Sequence, residues 1–339
     1  MLLRLDRRLK MPSNLHPSVL SNPPPKVSVA ICTYNHEKFI AQAIEGVLMQ
    51  ETSFPIELVI GEDCSTDGTR AILRKYAQTH PNIVRPLLHK RNVGGGTNFT
   101  SVLATCRGEY IAFLDGDDYW TDTRKLEIQV RFLEEHPECA MCHHRVSYVD
   151  DESQRLVSEF PPEERRREQC SADLLAKGNF IQTCSLMTRK ELIPDLTDDF
   201  MRLKLGDWPL CVLLGLHGSI GYIDKNMATY RIHVASNWSS KSVTYMVIAC
   251  IEMARYLIPR IREPARSAWI DYQLGLQWRL AQAAENSAFN CARAFGEYWL
   301  SALRYKRPIT MVMVWRGIRL MGSFCKRRIF APLFAGPIG

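Results

Sequence analysis

The sequence predicts an α/β fold with a mostly parallel central sheet, helices on both faces, and a helical C-terminal extension. Three observations predict it. Short apolar runs of strand length alternate with segments whose apolar residues recur at helical spacing. The connections between them are short, as in sheets built from strand–helix–strand units. Polar or acidic residues follow directly after three of the runs, where ligands bind in such sheets.

The elements follow in order. Residues 1–26 end in the proline-rich "SNPPPK", which suits neither sheet nor helix, and are expected to form an irregular leader. Val27 to Cys32 reads as the first strand, and Phe39, Ile40, Ala43, Ile44, Val47 and Leu48 mark a helix. Glu57 to Ile60 is a second strand, with Ile72, Leu73, Tyr76 and Ala77 on a second helix. Ile83 to Leu88, Phe99 to Cys106 and Tyr110 to Leu114 continue as strand, helix and strand. Cys139 to Val149 reads as another strand, 150–170 as an exposed charged loop, and Phe180 to Thr188 as strand-like. A helix opens at Asp207, with Pro209 tolerated in its first turn. Ile220 to Ile223 and Met227 to Ile232 are short strands, and the periodicity is helical from Lys241 on. The expected organisation is a leader (1–26), an α/β half (27–135), a second half (136–238) and a helical C-terminal region with a basic tail (239–339).

Composition bounds the function. The 339 residues are 46% hydrophobic and 23% charged, enough for a sizeable core. The net charge of +7 is local: from Tyr298 onward there are eight basic residues and no acidic one, while the rest holds 35 basic against 36 acidic. Such a patch suits an anionic lipid surface, nucleic acid or an acidic partner. The eleven cysteines lie scattered in apolar stretches and form no disulfide framework, which implies a reducing compartment. No secretory signal and no run long enough for a transmembrane helix is expected.

"FLDGDDYW" carries the chemistry. Asp115, Asp117 and Asp118 crowd the end of a predicted strand, and each carboxylate raises the cost of ionising its neighbours. Hard divalent ions such as Mg²⁺ and Mn²⁺ prefer such oxygens, although Asp and Gly also make ordinary turns. In "GEDCSTDGT", Ser65, Thr66 or Asp67 can cap the next helix, but a cap does not account for Glu62 and Asp63. Asn92 and Gly94 in "NVGGGTN" fit either a strand-to-helix turn or a loop beside a ligand. Cys139, Cys142 and His143 match the letters of a haem-attachment motif or half a zinc site; a strand with small core cysteines is the better account. Met311, Val314, Trp315, Ile318 and Met321 recur at helical spacing among basic residues. Both a helix on an anionic membrane and one packed on the protein satisfy that pattern.

Three runs, "VSVAICTYNHEKFIAQAIEGVLMQ", "ELVIGEDCSTDGT" and "GEYIAFLDGDDYW", resemble in order and spacing the family-2 glycosyltransferases, across roughly residues 27–235. The resemblance implies the GT-A fold and a nucleotide-sugar donor, UDP-linked by default. It implies that Thr33, Asn35 and Glu37 line the nucleotide pocket, that Asp63 contacts the base, and that Asp115 and Asp117 hold the ribose and a diphosphate-bound Mg²⁺ or Mn²⁺. It further implies Asp207 as general base, a metal-facing His233 in "YRIH", and an acceptor-side segment from Asn179 to Arg189. Glu62 and Cys64 depart from the family's usual Asp and Gly. No Q-x-x-R-W is present, which favours one sugar per encounter.

The expectation is a metal-assisted, inverting transfer of a hexosyl-type sugar to a saccharide or lipid-linked acceptor in cell-envelope polysaccharide or glycolipid synthesis. The expected location is cytoplasmic, peripheral on the inner face of the membrane. The rivals are a nucleotidyltransferase, which pairs a similar sheet with metal-binding aspartates, and a non-catalytic membrane- or partner-binding module. Nucleic-acid binding rests only on the basic tail and is not expected.

Overall fold

The computed structural model describes residues 24–234, 236, 241–283 and 288–305. The expected leader lies outside the described residues except for Pro24 to Lys26. Lys26 is already tied to the sheet: its ammonium pairs with Glu109 at 3.0 Å and Glu134 at 2.8 Å.

The N-terminal part alternates as predicted: β1 (Val27–Thr33), α1 (Ile40–Leu48), β2 (Ile56–Glu62), α2 (Thr69–Thr79), β3 (Val84–Leu88), α3 (Gly95–Thr105) and β4 (Tyr110–Asp115). Then come β5 (Tyr119–Trp120), α4 (Lys125–Glu135), β6 (Cys139–Asp150), β7 (Arg155–Phe160), β8 (Gln169–Cys170) and β9 (Met187–Arg189). The chain continues through α5 (Asp198–Met201), α6 (Asp207–Leu214), β10 (Ser219–Ile232), α7 (Val243–Leu257), α8 (Ala265–Ala283) and α9 (Ala288–Arg304).

The strands form one sheet in the order β3-β2-β1-β4-β9-β6-β10-β5, with β7 beside β6 and β8 beside β10. The first four are all parallel. The strands added beyond β4 are mixed: β9 runs antiparallel to both β4 and β6, and β10 runs parallel to β6. Strand order reverses at β1, whose neighbours are β2 and β4, so a crevice opens beyond their carboxyl ends. Register places Thr33 opposite Glu62 and Cys32 opposite Asp115 there.

Side chains alternate across the sheet with the period of a strand. Val27, Val29 and Ile31 of β1 and Ala112 and Leu114 of β4 pack with α1 and α4 on one face. Ala30, Ile111 and Phe113 pack on the other, with α3, α6, α7 and α8. Burial on both faces explains why these strands read as continuous apolar runs.

Three expectations change. The 150–170 loop contains β7, a hairpin partner of β6. Its Leu156 and Val157 are exposed, so no inward–outward pattern marked it. Phe180 to Thr188 is mostly a tight turn (Thr183–Ser185) that enters the three-residue β9. The two short strands expected over 220–232 are one strand, β10, whose irregular registers at Ile223, Asn226 and Ala228 break the period.

Candidate functional site

The loop after β1 and the loop after β2 clasp each other. Thr66 donates its backbone N–H to Asn35 Oδ1 at 2.8 Å, and Asn35 N donates to Ser65 Oγ at 3.0 Å. Glu37 and the 67–68 turn exchange bonds: Gly68 N to Glu37 Oε2 at 2.9 Å, and Glu37 N to Asp67 Oδ2 at 3.0 Å. Asn35 holds φ 56°, a left-handed conformation that Asn tolerates better than most residues. Asp67 also accepts from Thr69 N at 3.0 Å, filling the capping role one residue ahead of the Gly68 N-cap.

Asp63 is 3% exposed and fastens the next loop over. Its carboxylate accepts from Val93 N at 2.6 Å and Gly94 N at 3.0 Å. The "NVGGG" segment is therefore a strand-to-helix connection held by Asp63. Glu62 is buried and paired with Arg70, which also donates to the His89 carbonyl.

Beyond β4, the three aspartates have different surroundings. Asp117 Oδ2 lies 3.0 Å from His233 Nε2 and 3.7 Å from His36 Nε2. Burial works to raise the Asp117 carboxyl, but the His233 hydrogen bond and the nearby imidazoles outweigh it and hold it below the usual range. Asp115 is pushed up to about 8, by burial first and then by the charges of Asp117 and Asp207. Asp118 is raised well above the usual range by burial and by both neighbours. It is a structural acceptor: Arg231 N donates to its Oδ1 at 2.9 Å. Ionised charge thus concentrates on Asp117.

Asp207 is the first residue of α6 and lies close enough to Asp115 for its charge to be felt there. Burial raises its pKa, opposed by N–H donation from Trp208 and from its own amide and by the Thr183 hydroxyl. The same hydroxyl works to lower Asp115 as well. Asp207 therefore sits at a positive helix end yet stays easier to protonate than a surface aspartate.

The structure thus brings together Asp115, Asp117, Asp207 and His233, four residues singled out in the sequence. Thr33 lies beneath them, 2% exposed, its hydroxyl without a partner. His36 Nδ1 is likewise buried and unpaired. Both crowd Gly116, where an added Cβ would lie 2.7 Å from each. Asn35, Glu37 and Asp63 occupy the same end of the sheet, where they bond the loops 65–68 and 93–94. Among the described residues, no group of three or more His, Cys, Asp or Glu side chains is gathered to hold a metal ion. The Asp117–His233 pair supplies one carboxylate and one imidazole. That pair fits a divalent ion that completes its shell with substrate phosphates, the usual habit of Mg²⁺ and Mn²⁺. Cys139 and Cys142 are free and buried in the apolar core, as expected of packing residues.

Arg231 was missed. It is 7% exposed and reaches three elements. Its guanidinium donates to the Asp117 carbonyl at 2.7 Å and to Gln42 of α1, and lies 3.4 Å from Asp151. It also stands over the rings of Tyr119 (4.5 Å) and Phe39 (5.1 Å). The one sequence signal was its place two residues before His233.

The comparisons agree with this geometry. A family model described as glycosyl transferase family 2 matches residues 28–196. The uncharacterised protein Rv1520 of Mycobacterium tuberculosis is 40% identical over 214 residues, 63% of this chain and 61% of that protein. The match thus spans less than two thirds of the mycobacterial relative. The putative teichuronic acid biosynthesis glycosyltransferase TuaG of Bacillus subtilis is 29% identical over 246 residues, 70% of this chain and 93% of that protein. Among solved structures, residues 1–349 of Staphylococcus aureus TarS in complex with UDP-GlcNAc superpose with a TM-score of 0.60 at 20% identity, covering 81% of each chain. That likeness shows the GT-A fold. With its sheet switch point, its strand-end acidic residues and its matched sequence model in agreement, the chain belongs to glycosyl transferase family 2.

Proposed function

We propose that this chain transfers one sugar from a nucleotide-sugar donor to a hydroxyl acceptor, with inversion, in the synthesis of a cell-envelope polysaccharide or glycolipid. The observation that carries this reading is the nearness of Asp207, on α6, to Asp115, which feels its charge, beside the Asp117–His233 pair.

The loops clasped by Asn35, Glu37 and Asp63, with Thr33 beneath, form the nucleotide side. Asp115 takes the ribose, and Asp117 and His233 would hold a divalent ion, which would supply charge neutralisation to the leaving diphosphate. Asp207 accepts the proton of the acceptor hydroxyl. The acceptor oxygen then bonds to the anomeric carbon from the face opposite the departing phosphate oxygen. The carbon–oxygen bond to the diphosphate breaks, its electron pair leaves with the nucleoside diphosphate, and a single displacement of this kind inverts the centre. A UDP-linked sugar is the first donor to test, because TarS was crystallised with UDP-GlcNAc.

We place the working protein at the inner face of the membrane. Eight basic residues and no acidic one follow Tyr298. Leu300 and Leu303 of α9 are exposed. The helix expected over Pro308 to Phe324 lies outside the described residues. Among the described residues, no helix is long and apolar enough to cross a membrane.

The test is nucleoside diphosphate release from a panel of nucleotide sugars with Mn²⁺ or Mg²⁺. Asp207→Asn should lower kcat by about 10²–10⁴-fold, the usual contribution of a general base, with donor affinity kept. Transfer at an unaltered rate by Asp207→Asn, or no turnover of any donor by the unaltered chain, refutes the reading.

A further inference from the structure

Two side chains from the end of one strand hold Asp117 at both of its ends. His233 Nε2 lies 3.0 Å from the Asp117 carboxylate, and Arg231 Nη1 donates to the Asp117 carbonyl at 2.7 Å. Residues two apart on an extended chain project to the same side, so the end of β10 delivers both together. A carboxylate gripped alone can still swing with its own peptide group. With the carbonyl held as well, the main chain of the 115–118 turn and the direction of the carboxylate are set together.

Each guanidinium nitrogen of Arg231 already has a protein partner. Nη1 serves Asp117, Nη2 donates to Gln42 Oε1 of α1, and Nε lies 3.4 Å from Asp151 Oδ1. The group is also roofed by the rings of Tyr119 and Phe39 and is almost fully buried. Its partners are fixed in turn. Asp151, in the turn between β6 and β7, donates its N–H to the Ile232 carbonyl at 3.0 Å. Phe39 is the N-cap of α1, and its ring centre lies 4.6 Å from that of His233. Arg231 therefore ties Asp117 to the helix that follows the loop at 33–37 and to the β6–β7 turn. An arginine engaged at every nitrogen is arranged to hold protein, not to receive a phosphate.

We propose that Arg231 is a positioning residue for the divalent-ion site: by fixing the main chain of Asp117, it aims the carboxylate that His233 meets. The proposal rests on the reading of Asp117 and His233 as the residues that would hold the ion. It can be tested by substitution because residue 231 also holds the turn through its main chain, its N–H donating to Asp118 Oδ1 at 2.9 Å. That bond survives any change of the side chain.

The experiment compares Arg231→Met and Arg231→Lys with the unaltered full chain. Binding of UDP or GDP is followed by calorimetry, once with Mn²⁺ and once with chelator. Mn²⁺ uptake in the presence of the nucleotide is read from the electron paramagnetic resonance of the free ion. Groups that orient a metal-binding side chain usually contribute 10- to 100-fold to affinity, so Arg231→Met should weaken Mn²⁺ uptake by about that factor. Arg231→Lys keeps the charge but not the fork and should lose less, about 3- to 10-fold. Nucleotide binding in chelator should stay within about twofold. In the Asp117→Asn background, Arg231→Met should weaken Mn²⁺ uptake no further, as expected of residues acting through one another.

Unchanged Mn²⁺ uptake in Arg231→Met overturns the proposal; should that variant not fold, unchanged uptake in Arg231→Lys does so. An equal loss of nucleotide affinity with and without Mn²⁺ also overturns it, because Arg231 then acts on the nucleotide or on the fold at large. A further loss in the Asp117→Asn background does the same. The ion reading fails separately: unaltered Mn²⁺ uptake in Asp117→Asn removes it and the proposal with it, whereas a weakened Asp117→Asn beside an unaffected Arg231→Met sinks the positioning role only. A chain that shows these binding effects yet turns over no nucleotide sugar defeats the transferase reading and leaves the role of Arg231 standing.

Discussion

Lys125 is fully buried, and replacing it with methionine should change how stability depends on pH. Burial pushes its ammonium down to about 7 from an ordinary 10.5. The unfolded chain keeps this proton up to about pH 10.5, while the folded chain releases it near 7. Between those values the unfolded state binds more protons, so stability rises with pH across the window and is flat below it. The gap, at about 1.4 kcal/mol per pH unit, amounts to about 5 kcal/mol lost between pH 10.5 and pH 7. Lys125→Met removes that loss but leaves Gln129 Oε1 without its donor, at a cost of about 1–3 kcal/mol. The variant should therefore be slightly less stable than the parent near pH 10 and more stable, by a few kcal/mol, at pH 6. Urea unfolding in reductant at intervals from pH 6 to pH 10 measures both curves, and their difference isolates Lys125 from every other titrating group. A difference that stays constant with pH would refute the reasoning. It would mean that water or an unseen counter-charge reaches the ammonium stacked 4.0 Å from the Trp120 ring.

Further outcomes are expected. Arg231→Lys keeps the charge but not the fork that reaches Asp117 and Gln42 together; calorimetry should show weaker donor binding, and unfolding a loss of about 1–3 kcal/mol. Gly96→Ala puts a Cβ 2.0 Å from the Met201 carbonyl oxygen and should cost about 1–3 kcal/mol in chemical denaturation. Gly95→Ala next door meets open space and should be neutral or stabilise by up to about 1 kcal/mol. Asp117→Asn and His233→Ala should each raise the Mn²⁺ concentration that half-saturates turnover; an unmoved metal titration in both would exclude them as ligands.

Much of the fold was legible because β1, β2 and β4 are buried on both faces and so spell continuous apolar runs. The acidic site residues were legible because strand ends at a switch point are where polar residues gather. What stayed hidden depends on pairings distant in sequence. Arg231 acquires its role only when β10 lies beside β5 and α1, and its bond to Asp117 joins residues 114 positions apart. The turn at Thr183–Ser185 read as strand because it is bonded by the side chains of Trp120 and Gln129 rather than by a strand ladder. The exposed strand β7 was obscured by the charged residues that flank it.

The last strand of the sheet has a consequence for when the cleft becomes competent. Both His233 and Arg231 arrive at the far end of β10. A nascent polypeptide that has left the ribosome only through Gly218 already owns the loops at 33–37 and 63, the aspartates at 115 and 117, and Asp207. It still leaves Asp117 without its imidazole and its carbonyl without the guanidinium. Synthesis of the fifteen residues from Ser219 to His233 is the step that completes the surroundings of Asp117.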